Sequence, residues 1–357
     1  MKAVNWMRNI KIDDVKPGMI LARTIINDNM MVVLSKGKLL TEAHITRMHF
    51  LGIKNIYVQD EFEQRQQAVQ KFLSRSHAFV AEYQEVLTEV EDVFEQIAES
   101  KEVPVDKVKG IIDHTVTNMA MRSGVIDYLY EVKSMDNFTY NHSFRVSILA
   151  GVLAKWMRYN KQQIKDVILA GFLHDIGKTQ IDKNIVMKNS DRLSGEERKI
   201  YERHTTEGYK LIAEKEDIPE GVKYAVLQHH ECNDGTGFPL QKKGNEIHEY
   251  AKIIAVADFY DLYTSERESY KKQTPFSTLK IIGANMYTTM DPKVCIPFLL
   301  NVRQAFIGSE VLLSNGKKGL IVQFADAYDS LPLIKISDEE MIDLNREHTI
   351  SIVEYNP

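Results

Sequence analysis

The chain has 357 residues, enough for two or three domains and a sizeable buried core. Apolar residues make up 44% and charged residues 27%, which are ordinary values for a soluble globular protein. The net charge of -5 provides no basic surface for DNA or RNA, so any nucleotide has to be bound at a local site.

The cysteine content and the apolar runs indicate where such a chain resides. Cys232 and Cys295 match no metal-binding spacing and cannot build a disulfide framework, which favours a reducing compartment. The first residues lack the apolar stretch of a signal peptide, and no later stretch approaches the roughly 18 apolar residues of a membrane span. We therefore expect a soluble, cytoplasmic protein without a membrane span.

Residues 1–60 are predicted to form a small α+β module. The run "MMVVLSKGKLL" places two apolar segments around Lys36 and Gly37, which predicts a hairpin. "TEAHITRMHFLG" predicts a short helix that ends at Gly52, and "IKNIYV" predicts a strand. We assign no chemistry to this module.

Helical patterns follow over most of the chain. Residues 61–103 are predicted to form a linker of one or two long helices, because apolar residues recur at helical spacing. These residues are Phe72, Phe79, Val80, Tyr83, Val86 and Leu87. Residues 104–306 are predicted to be nearly all helical. Within them Ser194 and Glu197 form a capping box, which predicts a helix from there toward Ile212.

The pattern changes to a period of two in residues 307–357, which are predicted to form a small β module. "SEVLLSNGKKGLIVQF" predicts two strands around an Asn315-Gly316 turn, and "LPLIKI" and "TISIVEY" predict further strands. The predicted fold class is therefore mainly α, a helical bundle with a small N-terminal α+β module and a small C-terminal β module.

Five of the eleven histidines fall between positions 142 and 230, and about one helix and a connection separate each of these positions from the next, except for the adjacent last two. These are His142, His174, His204, His229 and His230. Asp175 follows the apolar run "VILAGFL", and Asp258 follows "AKIIAVA". Ligands on facing helices of a bundle converge on its core, where a carboxylate is costly unless a metal, a charge or a hydrogen bond compensates it.

Imidazoles and carboxylates without thiolates suit iron, manganese or zinc and argue against a structural zinc site. Seven ligands exceed the needs of one ion. Two ions that share a carboxylate and a water would use them, and such a pair promotes hydrolysis of a phosphate ester. Taken alone, His142 or His204 is more typical of a core or capping histidine, whereas Lys178 fits a solvated lysine at a helix end as well as it fits a functional one. The remaining histidines have polar settings and receive no role.

Two motifs resemble those of the HD-GYP family of metal-dependent phosphohydrolases. "HDIGK" at 174–178 is similar to the family's HD motif, and "HHECNDGTGFP" at 229–239 is similar to its HHxxxDGxGYP motif. The segment "IIAVADFYDLYTSER" resembles a family helix, and the similarity extends over roughly 137–300. This resemblance implies an HD-domain bundle that hydrolyses the second messenger cyclic di-GMP to pGpG and often onward to GMP.

The resemblance also implies residue roles. The metal ligands would be His142, His174, Asp175, His204, His229, His230 and Asp258. Asp175 would bridge two divalent ions, iron or manganese, with zinc, nickel or cobalt as alternatives. Lys178 would contact a phosphate and act with Asp175 in catalysis. The other substrate contacts would be Arg267, Asp261, Gly237, Phe238 and Pro239.

The sequence departs from the family pattern at two positions. Phe238 replaces the tyrosine of the GYP motif, which keeps an aromatic face but removes a hydroxyl group. Members with three metals are expected to carry a glutamate one helical turn before the first histidine, where this chain has Phe138. Asp136 lies two residues further away and would point elsewhere on a helix. We therefore expect two ions.

The predicted reaction is in-line attack on a phosphorus of cyclic di-GMP by a hydroxide that bridges the two ions. Three alternatives remain open. The chain hydrolyses another cyclic dinucleotide or nucleotide, it binds cyclic di-GMP as a receptor without turnover, or it is a helical scaffold without metal. The resemblance also leaves open a homodimer and GGDEF-type or other signalling proteins as partners.

Overall fold

The computed structural model describes residues 7–26, 32–59, 61–132, 138–188, 192–265, 273–325, 330–337 and 339–356. The chain divides into two compact units, Met1–Ala78 and Phe79–Pro357. None of the helices in the described ranges combines the length and apolar character that crossing a membrane requires. The predicted cellular location stays a prediction.

The first unit is a small α+β module, as the sequence predicts. Strand β1 (Met7–Lys11) pairs antiparallel with β4 (Asn55–Gln59), and β2 (Ile25–Ile26) pairs with β3 (Val32–Leu34). Helix α1 (Glu42–Phe50) lies between β3 and β4 in the chain. The buried core consists of Ile10, Ile12, Val15, Leu21, Leu34, Leu40, Met48, Ile56 and Val58.

The hairpin predicted around Lys36 and Gly37 is wrong. The turn exists, with Gly37 at φ +88°, but the apolar runs on its two sides pair with other segments. The first run, β3, pairs with β2, whereas Leu39 bridges to Ile20. A local pattern fixes a turn but not the partner of each strand, because pairing depends on residues distant in sequence.

Helix α2 (Glu61–Ser100) confirms the prediction of a long helix. Its part from Phe79 onward belongs to the second unit and buries one stripe of side chains. The stripe consists of Phe79, Tyr83, Val86, Val90, Val93, Phe94 and Ile97. Alternating steps of three and four residues keep such a stripe on one face of the helix, which packs against the bundle.

The second unit is a helical bundle, as predicted. Its helices after α2 are α3 (Val105–Ile111), α4 (Thr117–Met121), α5 (Val125–Glu131), α6 (Phe138–Trp156), α7 (Lys161–Leu173), α8 (Lys183–Val186), α9 (Gly195–Glu202), α10 (His204–Ile212), α11 (Glu220–Gln228), α12 (Glu249–Thr264), α13 (Pro275–Asn285) and α14 (Pro292–Ala305). A π-helical turn (Ile112–Val116) separates α3 from α4, and short 3-10 helices occur at Ile176–Gln180 and Gly244–Glu246.

Helix α6 is the centre of the bundle. All residues from Asn141 to Ala154 are buried, and the helix packs against α7, α12, α4 and α14. A helix that is apolar on every side requires neighbours on every side. The polar groups of α6 are therefore held away from bulk water.

The helix predicted from Ser194 to Ile212 is interrupted. Ser194 accepts a hydrogen bond from the backbone N–H of Glu197 and caps α9, as predicted. That helix ends at Glu202, and α10 begins at His204. The sequence contains no proline or glycine at the break, so the local pattern did not reveal it.

The C-terminal residues form an antiparallel sheet of five strands in the order β8-β7-β6-β5-β9. The strands are β5 (Glu310–Leu313), β6 (Lys318–Phe324), β7 (Pro332–Lys335), β8 (Met341–Asp343) and β9 (Ile352–Asn356). The Asn315-Gly316 turn joins β5 to β6 as predicted, whereas β8 was not predicted. The Tyr355 hydroxyl donates a hydrogen bond to Asp127 of α5 at 2.6 Å and so ties β9 to the bundle. The sheet thus belongs to the same compact unit as the bundle, and the predicted boundaries at 60, 103 and 306 stay predictions.

Candidate metal centre

The structure brings all seven predicted metal ligands into two groups, in which every side chain is buried except that of His230, which is partly buried. One group contains Asp175, His204, His229 and His230, and the other contains His142, His174 and Asp258. In each group, one potential ligand atom from every residue lies within 4.8 Å of the others. The side chains come from α6, α10 and α12 and from the ends of α7 and α11, so residues distant in sequence meet in the core.

Asp175 lies between the two groups. Its Oδ1 is 3.5 Å from His204 Nε2 and 3.8 Å from His229 Nε2. Its Oδ2 is 3.3 Å from His174 Nε2 and 3.6 Å from His142 Nε2. Each carboxylate oxygen therefore faces a different group of imidazoles.

The helix ends orient three of the imidazoles. The rings of His174, His204 and His229 place Nδ1 at 2.7, 2.7 and 2.9 Å from the backbone carbonyl three residues earlier. Helices α7, α9 and α11 end beside these histidines, where carbonyls of the last turn lack helical partners. An N–H donated from Nδ1 leaves the Nε2 lone pair facing Asp175, the orientation that a metal ligand requires.

The buried polar atoms of the site fit a metal. Among the residues that the structure describes, none forms a hydrogen bond to His174 Nε2, Asp175 Oδ1 or His230 Nε2, all of which are buried. Burying such atoms without partners is costly, and a bound cation would compensate that cost. Nitrogen and oxygen donors without thiolates suit divalent transition metals.

The electrostatics keep His204, His230 and Asp175 in the protonation states that metals bind. Burial lowers the pKa of His204 to about 3 and that of His230 to about 4. Burial alone would raise the pKa of Asp175, but its interactions with His174 and with the charge of Lys178 hold that pKa well below its ordinary value. At neutral pH the site therefore presents neutral His204 and His230 beside an ionised Asp175.

Lys178 lies beside the carboxylate of Asp175. Its side chain is buried, and Nζ donates a hydrogen bond to Asp175 Oδ2. The ammonium group lies 5.3 Å from the centre of the Tyr201 ring. Burial would lower the pKa of Lys178, but the charge of Asp175 outweighs it and raises that pKa. The site therefore holds a permanent cation next to the candidate metal ligands.

Comparison with known proteins identifies the region. A sequence model of the family described as "HD domain" matches residues 130–294. Residues 130–294, slightly less than half of the chain, therefore resemble an HD domain. The predicted resemblance to the HD-GYP branch and the predicted mainly helical fold class are both confirmed.

Curated relatives share this region. The cyclic di-GMP phosphodiesterase PA4108 of Pseudomonas aeruginosa is 28% identical over 257 residues, which are 69% of this chain and 62% of that protein. A cyclic di-GMP phosphodiesterase of Thermotoga maritima is 33% identical over 181 residues, which are 49% of this chain and 47% of that protein. The chain thus spans less than two thirds of the length of either relative.

A solved structure confirms the fold. The protein Bd1817 of Bdellovibrio bacteriovorus, described as a HDG"Y"P protein, superposes with a TM-score of 0.51 at 17% sequence identity. The superposition covers 83% of this chain and 99% of that one. At this identity the likeness concerns the fold alone.

Gly177 explains why the 3-10 helix after Asp175 lies so close to α10, which the sequence analysis did not predict. A Cβ atom on Gly177 would lie 1.9 Å from the His204 carbonyl oxygen and 2.4 Å from the Gly208 backbone nitrogen. The 3-10 helix after Asp175 therefore packs directly on α10, which brings Lys178 and Asp175 close to His204. The glycine inside "HDIGK" was the available signal.

The loop after His230 carries the predicted residues Gly237, Phe238 and Pro239. The Phe238 ring stacks on the His230 ring, with centroids 4.6 Å apart and planes at 29°. A Cβ atom on Gly237 would lie 2.4 Å from the His230 carbonyl oxygen, so the loop folds back tightly on the backbone of His230. Pro239 follows in a partly buried position. The predicted nucleotide contacts of these three residues stay predictions.

Glu231 also lies in the region that resembles an HD domain, and the sequence pattern assigned no role to this residue. Its carboxylate is buried and accepts hydrogen bonds from the backbone N–H groups of Leu240 at 2.6 Å and Lys242 at 2.9 Å. It therefore fixes the end of the loop that carries Phe238. A glutamate beside two histidines gives no sequence signal for this role, because its partners are backbone groups.

Three further predictions have different outcomes. Asp261 does not line an open pocket, because it is only 3% exposed and both carboxylate oxygens contact His142 or Arg145. Arg267 and Asp136 lie outside the described residues. Phe138 begins α6, but its side chain is outside the described part, so the expectation of two ions stays a prediction.

Proposed function

We propose that this chain is a metal-dependent phosphodiesterase that hydrolyses cyclic di-GMP to pGpG. The observation that carries the proposal is the position of Asp175, whose two oxygens face two separate groups of ligands. The names of the relatives, both cyclic di-GMP phosphodiesterases, support the choice of substrate. Further hydrolysis to GMP remains open.

His204, His229 and His230 would hold one divalent ion, and His142, His174 and Asp258 the other, with Asp175 shared between them. Two bound ions supply an activated water nucleophile and stabilise charge on the attacked phosphate and the leaving oxygen. We propose iron or manganese, since imidazole and carboxylate donors suit these metals, with zinc, nickel or cobalt as alternatives.

The protein residues position the substrate and balance its charge. Lys178 is a protonated cation beside Asp175, suited to a phosphoryl oxygen that gains charge during the reaction. Phe238 presents an aromatic ring beside His230 against which a base can stack. Arg267 is the proposed contact for the other phosphate or for a guanine. A homodimer and GGDEF-type or other signalling partners stay predictions.

The complete ligand set favours an enzyme over a receptor that binds without turnover, since such receptors are expected to lose ligands. The metals determine the reaction type more strongly than the base, so another cyclic dinucleotide is the main rival substrate.

The proposal is tested by assaying several nucleotides with protein purified anaerobically under reducing conditions. We expect cyclic di-GMP to yield pGpG. His174→Ala and Asp175→Ala should each lose at least a hundredfold in rate, about 2.7 kcal/mol, with metal content and circular dichroism measured in parallel. His348→Ala, an exposed histidine in the C-terminal sheet region, is the matched control and should act like the parent. Near-parental rates in either ligand variant, or turnover of a different nucleotide only, would refute the proposal.

A further inference from the structure

A buried polar network contacts the second ring nitrogen of His142. While Nε2 of His142 lies 2.9 Å from Asp258 Oδ1, its Nδ1 lies 2.8 Å from Asp261 Oδ2. His142 is the one imidazole of the two groups whose Nδ1 contacts a carboxylate in the hydrogen bonds that the structure describes. The other contacts of this kind are to backbone carbonyls.

Arg145 holds the Asp261 carboxylate from the other side. Its Nε donates to Asp261 Oδ1 at 2.6 Å and its Nη2 to Oδ2 at 2.9 Å. His142 and Arg145 are three residues apart on α6, as Asp258 and Asp261 are on α12, so each helix contributes one metal ligand and one member of the ion pair. The same two helix faces thus build the metal centre and its support.

Helix α2 contributes the outer part of the network. The buried Tyr83 hydroxyl donates to Asn141 Oδ1 at 2.8 Å and lies beside the Arg145 guanidinium. The Tyr83 ring stacks on Phe144, with centroids 4.6 Å apart. Tyr83 therefore fixes α2 to the segment of α6 that carries both His142 and Arg145.

That Arg145 and Asp261 form a buried ion pair is weak evidence that the pair serves only to stabilise the fold. The desolvation of two charges offsets most of their attraction, and apolar replacements of such pairs are often equally stable. The additional contact of Asp261 with the His142 imidazole indicates a different role for the pair. A carboxylate on the outer nitrogen of a ligating histidine fixes its tautomer and orientation and increases its basicity.

We propose that Asp261 is a positioning residue for His142 and not a nucleotide contact, and that Arg145 and Tyr83 hold it in place. The proposal rests on the metal-binding part of the proposed function. It does not depend on which nucleotide is hydrolysed.

The test is titration of the metal-free protein with Mn²⁺, followed by the electron paramagnetic resonance signal of the free ion. Asp261→Asn keeps the size of the side chain but removes its charge. Because that variant leaves the Arg145 charge buried, the double variant Arg145→Met/Asp261→Asn keeps the charge balance and tests the same contact if the single variant fails to fold. Lys252→Met is the control, since it breaks another ion pair of α12, with Asp291 at 2.7 Å.

We expect both Asp261 variants to bind one of two Mn²⁺ ions about 10- to 100-fold more weakly than the parent, while Lys252→Met binds both normally. Tyr83→Phe should weaken the same ion by a smaller factor, and an unchanged affinity would overturn the part assigned to helix α2. Parental Mn²⁺ affinity in both Asp261 variants, with a raised KM for cyclic di-GMP, would show a nucleotide contact instead. If the parent cleaves no cyclic di-GMP but the affinity losses appear, the proposed function fails and this inference stands.

Discussion

At the scale of single residues, the candidate metal centre depends on glycines that allow helices to pack closely, as well as on its ligands. Gly177 lets the 3-10 helix after Asp175 contact the backbone of α10. Gly171 lets α7 pack closely on α6, since a Cβ atom on Gly171 would lie 2.8 Å from Ser147 Cα. In both cases the obstructing atoms belong to backbone and cannot rotate away. The ligand geometry therefore requires glycine at these two close approaches.

Gly177→Ala should lower the free energy of unfolding by on the order of 3 kcal/mol, because the added methyl group overlaps the backbone of α10. Urea denaturation followed by circular dichroism measures the change. Gly110→Ala is the matched control. It lies in α3 with no atom within 4 Å of the new Cβ, so it should be neutral or stabilising by up to about 1 kcal/mol. A Gly177→Ala protein with the parental denaturation midpoint would contradict the packing described for α10.

Phe238→Tyr should change the rate or affinity for cyclic di-GMP only modestly, because the aromatic face already stacks on His230. Steady-state kinetics measures kcat and KM for the variant and the parent. Phe238→Leu, which removes the stacked ring, should be more harmful. A change of a hundredfold or more on adding the hydroxyl, about 2.7 kcal/mol, would show that the hydroxyl group matters.

At the scale of secondary-structure elements, the sequence predicted the helices and turns that are defined by local signals such as caps and turn residues. The Ser194 capping box, the helix before Gly52 and the Asn315-Gly316 turn are all confirmed. The pairing of β3 and the break at Arg203 were missed, since both depend on contacts outside the local segment. The break matters for the site, because it lets the α9 carbonyl of Tyr201 meet His204 Nδ1.

Ser194→Ala should destabilise the protein by about 1 kcal/mol, because the first turn of α9 loses its side-chain acceptor. Thermal unfolding by calorimetry measures the effect. Glu196→Gln in the same turn is the control. It breaks only an exposed ion pair with Lys199 and should cost less than about 0.5 kcal/mol. Equal stability of Ser194→Ala and the parent would remove the cap as a determinant of where α9 begins.

At the scale of the whole molecule, the cluster of candidate metal ligands could be predicted because its chemistry shows in the residue types and their spacing. Adjacent polar residues at the ends of apolar helices, such as His174 with Asp175, indicate a buried site from the amino-acid order alone. Glu231 and Arg145 could not be found in this way, because their roles consist of contacts to a loop backbone and to Asp261. The supporting residues of a site become visible only when the helices are packed.

The proposed activity requires that seven side chains from five helices and helix ends bind two transition-metal ions and that the loaded centre cleaves a phosphodiester. Both requirements are tested together by elemental analysis of protein purified anaerobically under reducing conditions, with cyclic di-GMP turnover assayed on the same sample. We expect two iron or manganese ions per chain and formation of pGpG. A folded sample that contains no transition metal, takes up none on addition, and leaves cyclic di-GMP intact would contradict the proposed metal centre and its activity.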